Sequence, residues 1–151
     1  MLESQLHIKL KSEESEHAPV DGILIVDDSA TVLAVATKML EEKYVVVTAT
    51  NGLDAWEILE NNKSVTLVFS DMQMPMMNGL ELLMKIRNSE DIRLAKLPVV
   101  MITGKSDTNA GKQAVFDIGA SEFIGKPFDQ MDLISRASAY VNPENSCRKG
   151  V

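Results

Sequence analysis

The chain has 151 residues, 45% of them hydrophobic, one cysteine, and a formal charge of −7 from 22 acidic and 15 basic side chains. That is enough chain for one domain with a core of its own, and the lone Cys147 excludes an internal disulfide, which is compatible with a reducing cytoplasm. The acidic balance, with no clustered positive surface, argues against nucleic acid or an anionic membrane as the main partner, while a divalent cation or a solvated acidic surface both fit it.

Residues 1–20 hold no long apolar segment, so neither a signal peptide nor a membrane span is expected there. Leu2, Leu6 and Leu10 can line one face of a short helix, but Ser12 to His17 is polar throughout and an unstructured tail is expected. "GILIV" (Gly22–Val26) is an all-apolar run, as a strand buried on both faces requires. Ser29 can cap a helix over "ATVLAVATKMLEEK", with Val32, Val35, Ala36, Met39 and Leu40 at helical spacing. "YVVVTAT" reads as a second strand, and "NGLDAWEILENN" as a helix turning Leu53, Trp56 and either Leu59 or Ile58 inward.

"TLVFS" is the third strand, followed by the helix "GLELLMKIRN" with Leu80, Leu83, Met84 and Ile86 inward. "LPVVMIT" is the fourth strand, "DTNAGKQAVFDIG" the fourth helix, "SEFIG" a short fifth strand and "DQMDLISRASAYV" the fifth helix. Strands alternating with helices make βαβ units. The expected fold is therefore α/β, a flavodoxin-like, doubly wound (βα)5 domain over residues 21–141, with a parallel five-stranded sheet and helices on both faces. Residues 142–151 read as a C-terminal tail too short to hold an output domain. Either a self-contained single domain or a domain cut from a longer chain accounts for that.

In such sheets ligands bind beyond the carboxyl ends of the strands, where strand order reverses. The first strand leads into Asp27-Asp28, the third ends on Asp71, the fourth on Thr103, and the fifth is followed by Lys126-Pro127. Each alone has a plain reading: an Asp after a strand is often a turn former or helix cap, Thr103 suits any strand, and Lys126 suits a solvated surface. Together they bring three carboxylates, a hydroxyl and an ammonium to one edge. Clustered carboxylates repel unless a cation sits among them, and oxygen-only donors suit a hard ion such as Mg²⁺. Lys126 and Thr103 add what a phosphoryl group needs, and a carboxylate can itself be the nucleophile that forms an aspartyl phosphate.

"VDD" after the first strand, "SDMQMPMMNG" after the third, "MITG" at the fourth and "GKPF" after the fifth resemble the receiver domain of two-component response regulators. The resemblance implies that Asp71 accepts a phosphoryl group from a sensor histidine kinase or phosphotransfer protein. It implies that Asp27, Asp28, Asp71 and the Gln73 backbone carbonyl hold Mg²⁺, and that Lys126, its direction fixed by a cis Lys126–Pro127 bond, binds a phosphoryl oxygen. Thr103 would move to another oxygen, Phe123 would turn inward, and Gln73 and Lys105 would tune the lifetime of the phosphoryl group. The output would be a changed face made by the fourth helix, fifth strand and fifth helix. That face would serve a downstream protein or output domain, or a homodimer.

Within the opening loop, Pro75 restrains the turn, Asn78-Gly79 tolerates unusual backbone angles, and Met72, Met74, Met76 and Met77 can be soft filler. A phosphatase of similar shape would need an acid where Gln73 stands, and a dinucleotide site would need a glycine-rich loop where "DDSATV" stands. A degenerate receiver, binding partners without phosphorylation, is the alternative. The main reading is a phosphorylation switch; either way a cytoplasmic protein that turns over no separate substrate is expected.

Overall fold

A computed structural model describes residues 22–141. The tails read at 1–20 and 142–151 lie outside the described residues. Five strands, β1 (Gly22–Val26), β2 (Val45–Ala49), β3 (Val65–Asp71), β4 (Val99–Thr103) and β5 (Glu122–Gly125), form one sheet in the order β2-β1-β3-β4-β5, with every pairing parallel. The helices between them are α1 (Ala30–Leu40), α2 (Gly52–Asn61), α3 (Gly79–Arg87), α4 (Asn109–Ile118) and α5 (Gln130–Tyr140). The connection from α3 to β4 adds a helical turn over Ile92–Ala95 that the sequence reading passes over.

The strands' side-chain alternation sorts the core into two layers. Ile23, Ile25, Leu67, Phe69, Val100 and Ile102 meet α1 and α5 through Leu33, Ala36, Leu40, Leu133 and Ala137. Leu24, Val26, Val68, Val99 and Met101 meet α2, α3 and α4 through Ala55, Leu59, Leu82, Leu83, Ile86 and Val115. Both faces of β1, β3 and β4 are thus covered, which is why those strands read as unbroken apolar runs. No helix among the described residues is long and apolar enough to cross a membrane.

Helical phase needs three corrections. Val35 in α1, Leu53 in α2 and Met84 in α3 are exposed, at 44%, 48% and 43%, while Leu33, Ala55 and Leu82 take the buried positions. Several apolar residues in each helix fit more than one stripe, and only the helix's docking against the sheet selects the buried one. A further correction concerns α4: the Thr108 hydroxyl accepts the Gly111 N–H at 3.0 Å, so the helix opens at Asn109 and Asp107 stays in the preceding loop.

Candidate functional site

The strand order reverses about β1, between β2 and β3, so the carboxyl ends of β1 and β3 open the crevice where this fold places its ligands. Asp27 follows β1 directly, and Asp71 is the last residue of β3. Asp27 is fully buried and Asp71 is 6% exposed, whereas Asp28 is exposed at the rim. One oxygen from each of Asp27, Asp28 and Asp71 can lie within 4.8 Å of the others.

Among the described residues, one cation answers Asp27 and Asp71. Lys126 Nζ lies 2.9 Å from Asp27 Oδ2 and 3.3 Å from Asp71 Oδ1. It is placed by the turn after β5, where the Lys126 N–H donates to the Thr103 carbonyl at 2.8 Å and the Lys126–Pro127 peptide is cis. Asp27 Oδ1 accepts the Ser29 N–H at 2.9 Å, so the acid also steadies the start of α1. Its Oδ2 is buried, and the Lys126 ammonium is the group that meets it among the described residues. Burial raises the Asp71 pKa, the Asp27 charge raises it further, and Lys126 offsets only part of this. Burial pulls the Lys126 pKa down, but the contacts with Asp27 and Asp71 outweigh it and the net direction is up. Two carboxylates sharing one ammonium, with a third carboxylate beside them, fit a hard divalent cation bound through oxygen.

Thr103, at the end of β4, is buried, and its hydroxyl donates to the Ile124 carbonyl at 3.3 Å. Phe123, beside Ile124, is half-buried against the core layer of α2, α3 and α4, and stacks on the exposed Phe116 of α4 with ring centroids 6.5 Å apart. Gln73 is exposed, and its side-chain amide donates to Asp107 Oδ1 at 3.2 Å. Lys105 is exposed in the β4–α4 loop and makes no hydrogen bond or ion pair with the described residues. The structure thus gathers Asp27, Asp28, Asp71 and Lys126 at one edge, with Thr103 joined to them through the Lys126 backbone. Phe123 stands further along β5.

The loop after Asp71 is built differently from the sequence expectation. The left-handed angle falls on Met76, φ 65°, in a tight turn in which the Met77 N–H donates to the Pro75 carbonyl at 2.7 Å. Asn78 is extended and caps α3, accepting the Glu81 N–H while Glu81 accepts the Asn78 N–H. Gly79 is needed for closeness instead of φ: a Cβ there would run into the Asp71 carbonyl oxygen and lie 2.7 Å from Met101 Cε. Met72 is buried, and Met74 and Met77 pack on the core, as filler should; Met76 is 74% exposed.

Sequence reading missed Asp107, absorbed into the helix, and Arg87, which reads as an ordinary cation at a helix end. Arg87 instead reaches into a half-buried niche. It donates to the Gly119 carbonyl through Nε and Nη2, at 3.0 and 2.8 Å, and through Nη1 to the Leu97 and Ala95 carbonyls at 2.6 and 3.2 Å.

Residues 23–138 match the response regulator receiver domain family. The chain is 35% identical over 120 residues to the "transcriptional regulatory protein CpxR homolog" of Haemophilus influenzae, a match spanning 79% of this chain and 49% of that protein. It is 36% identical over 111 residues to "chemotaxis protein CheY1" of Helicobacter pylori, spanning 70% of this chain and 85% of that one. It therefore spans about half the length of the first of these relatives and most of the second. Among solved structures, a response regulator receiver domain protein from Clostridium thermocellum superposes with a TM-score of 0.72 at 27% identity, over 85% of this chain and 99% of that one. The parallel sheet, the acids at its carboxyl edge and these matches agree: the chain belongs to the response regulator receiver domain family of two-component systems.

Proposed function

We propose that this protein is a phosphorylation switch in which Asp71 accepts a phosphoryl group from a phosphohistidine on a sensor kinase or phosphotransfer protein. The observation that carries this reading is the convergence of Asp27, Asp28 and Asp71 at the switch point of the sheet, with Lys126 bridging Asp27 and Asp71. Phosphorylation on an aspartate and binding of Mg²⁺ are general in the family, and Asp27, Asp28, Asp71 and the Gln73 backbone carbonyl are the ligands assigned here. When bound, Mg²⁺ supplies positive charge to the phosphoryl oxygens and relieves the repulsion among the carboxylates.

The chain's own groups divide the remaining work. An Asp71 oxygen attacks phosphorus in line with the leaving imidazole nitrogen; the P–N bond breaks as the P–O bond forms. Lys126 helps keep Asp71 ionised beforehand, and its ammonium is then at hand for a phosphoryl oxygen. Thr103 must give up the Ile124 carbonyl to donate to another oxygen, which disturbs β5 beside Phe123. Phe123 stacks on Phe116, so that disturbance reaches the face of α4, β5 and α5, where an output domain, a partner protein or a second copy docks. Gln73 and Lys105, on the loops leaving β3 and β4, tune how long the phosphoryl group lasts. The protein modifies its own aspartate, turns over no separate substrate, and acts in the cytoplasm.

The test is an intact-mass spectrum after incubation with acetyl phosphate, with and without Mg²⁺, beside Asp71→Asn. A Mg²⁺-dependent gain of one phosphoryl group, absent in the variant, is expected. No gain in protein shown to be folded would overturn the reading in favour of a module that binds partners without phosphorylation.

A further inference from the structure

One carboxylate outside the acidic cluster ties the two loops at the mouth of the site together. Asp107 Oδ1 accepts from Gln73 Nε2 at 3.2 Å, and Asp107 Oδ2 accepts the Gly104 N–H at 2.6 Å. The Asp107 N–H donates back to the Gly104 carbonyl at 3.1 Å, which closes the turn. Gln73 lies two residues beyond Asp71, and Gly104 directly follows Thr103. Asp71 pairs with Ile102 across β3 and β4, so the two loops leave the sheet side by side. We propose that Asp107 is a charge-sensitive latch: it holds the β4–α4 loop against Gln73 in the unphosphorylated protein and lets go when Asp71 carries a phosphoryl group.

The inference rests on Asp71 being the phosphoacceptor. Its physical basis is a competition for one donor. A phosphoryl group replaces the single charge of the Asp71 carboxylate with roughly 1.5 to 2 negative charges and sets three strong acceptor oxygens beside the loop that carries Gln73. The Gln73 amide then has a better acceptor than the Asp107 carboxylate, and the carboxylate is repelled by the new charge. The existing Gln73–Asp107 bond is long and exposed, so it holds the closed loop by a small margin that a modest differential interaction can reverse. Release frees the Gly104 N–H and loosens the backbone next to Thr103, the residue whose hydroxyl has to leave Ile124. Asp107 is thus a positioning residue, acting through Gln73 and Gly104.

Amide hydrogen exchange at Gly104, followed by NMR on the full chain before and after acetyl phosphate and Mg²⁺, tests the latch, with phosphoryl occupancy read by mass in the same samples. In the wild type, phosphorylation is expected to speed exchange at Gly104 about threefold to tenfold, the equivalent of one ordinary hydrogen bond. Asp107→Ala should exchange fast in both states. Asp107→Asn keeps an acceptor for the Gly104 N–H but loses the charge, so it should stay slow in both. A residue that only shaped the turn would give no response to phosphorylation in the wild type. Unchanged exchange in wild type carrying the phosphoryl mass, or an Asp107→Asn response equal to the wild type's, overturns the latch and leaves the phosphoacceptor reading standing. Absence of the phosphoryl mass in the folded wild type overturns both.

Discussion

Arg87 and the group formed by Asp27, Asp71 and Lys126 both take charge out of water, and their surroundings treat that charge in opposite ways. The Arg87 guanidinium meets three carbonyls at the ends of two helical segments and at Leu97, so its donors are spent on neutral dipoles that favour a cation. Burial lowers its pKa, and with no neighbouring charge in play its role is to hold α3, the Ile92–Ala95 turn and the end of α4 together. The acids Asp27 and Asp71 have one lysine between them, a third carboxylate beside them, and a raised pKa on Asp71. A satisfied buried charge marks architecture; an under-compensated cluster at a strand edge marks a place where something else is meant to bind.

The comparison is broken most severely at Arg87. Arg87→Ala is expected to cost about 3 kcal/mol in urea denaturation, because several charge-assisted bonds vanish and leave carbonyls unpaired. The protein that remains folded should take up phosphoryl groups as the wild type does; a loss of uptake per folded molecule would make Arg87 part of the site. Lys126→Ala comes next. Without divalent cation it leaves Asp27 and Asp71 facing each other uncompensated, at about 2 kcal/mol in the same assay. Added Mg²⁺ should recover much of that loss while phosphoryl uptake stays depressed.

Asp71→Asn works in the opposite direction. In metal-free protein at neutral pH it should stabilise by about 1 kcal/mol, since a buried, repelled carboxylate becomes neutral while Lys126 keeps Asp27. The folded state holds the Asp71 proton more tightly than the unfolded chain. The charged form therefore costs stability above the raised pKa, and the cost disappears as pH falls through it. Thermal melts of wild type and variant should converge in acid; a gap that widens would mean that Lys126 compensates Asp71 fully.

The smallest effect belongs to the surface pair on β5 and α5. The Tyr140 hydroxyl donates to Glu122 Oε2 at 2.7 Å, and Glu122 Oε1 also takes Arg136 Nε at 3.2 Å. Tyr140→Phe should cost about 0.5 kcal/mol because Glu122 keeps the arginine. The hydrogen bond to Glu122, then burial, raise the Tyr140 pKa, so this contribution holds below the ordinary tyrosine range and fades as pH climbs through the raised value. A loss several times larger would show that this corner of β5 and α5 is as tightly built as the Arg87 niche.

By itself the sequence determined the order of strands and helices, the parallel sheet buried on both sides, and the acids, threonine and lysine at its carboxyl edge. Those features are legible because apolar runs, caps such as Ser29 and strand-end residues act within a few positions of one another along the chain. Which stripe of α1, α2 and α3 faces inward was decided only by docking against the sheet, as Leu82 buried in place of Met84 illustrates. Tertiary contact alone decided that Gly79 stands there for closeness to the Asp71 carbonyl. It also sent Arg87 to the Gly119 carbonyl and brought Asp107 across to Gln73, pairs that lie 32 and 34 positions apart. No local period or propensity marks such partners, because each depends on where the fold carries another segment of chain.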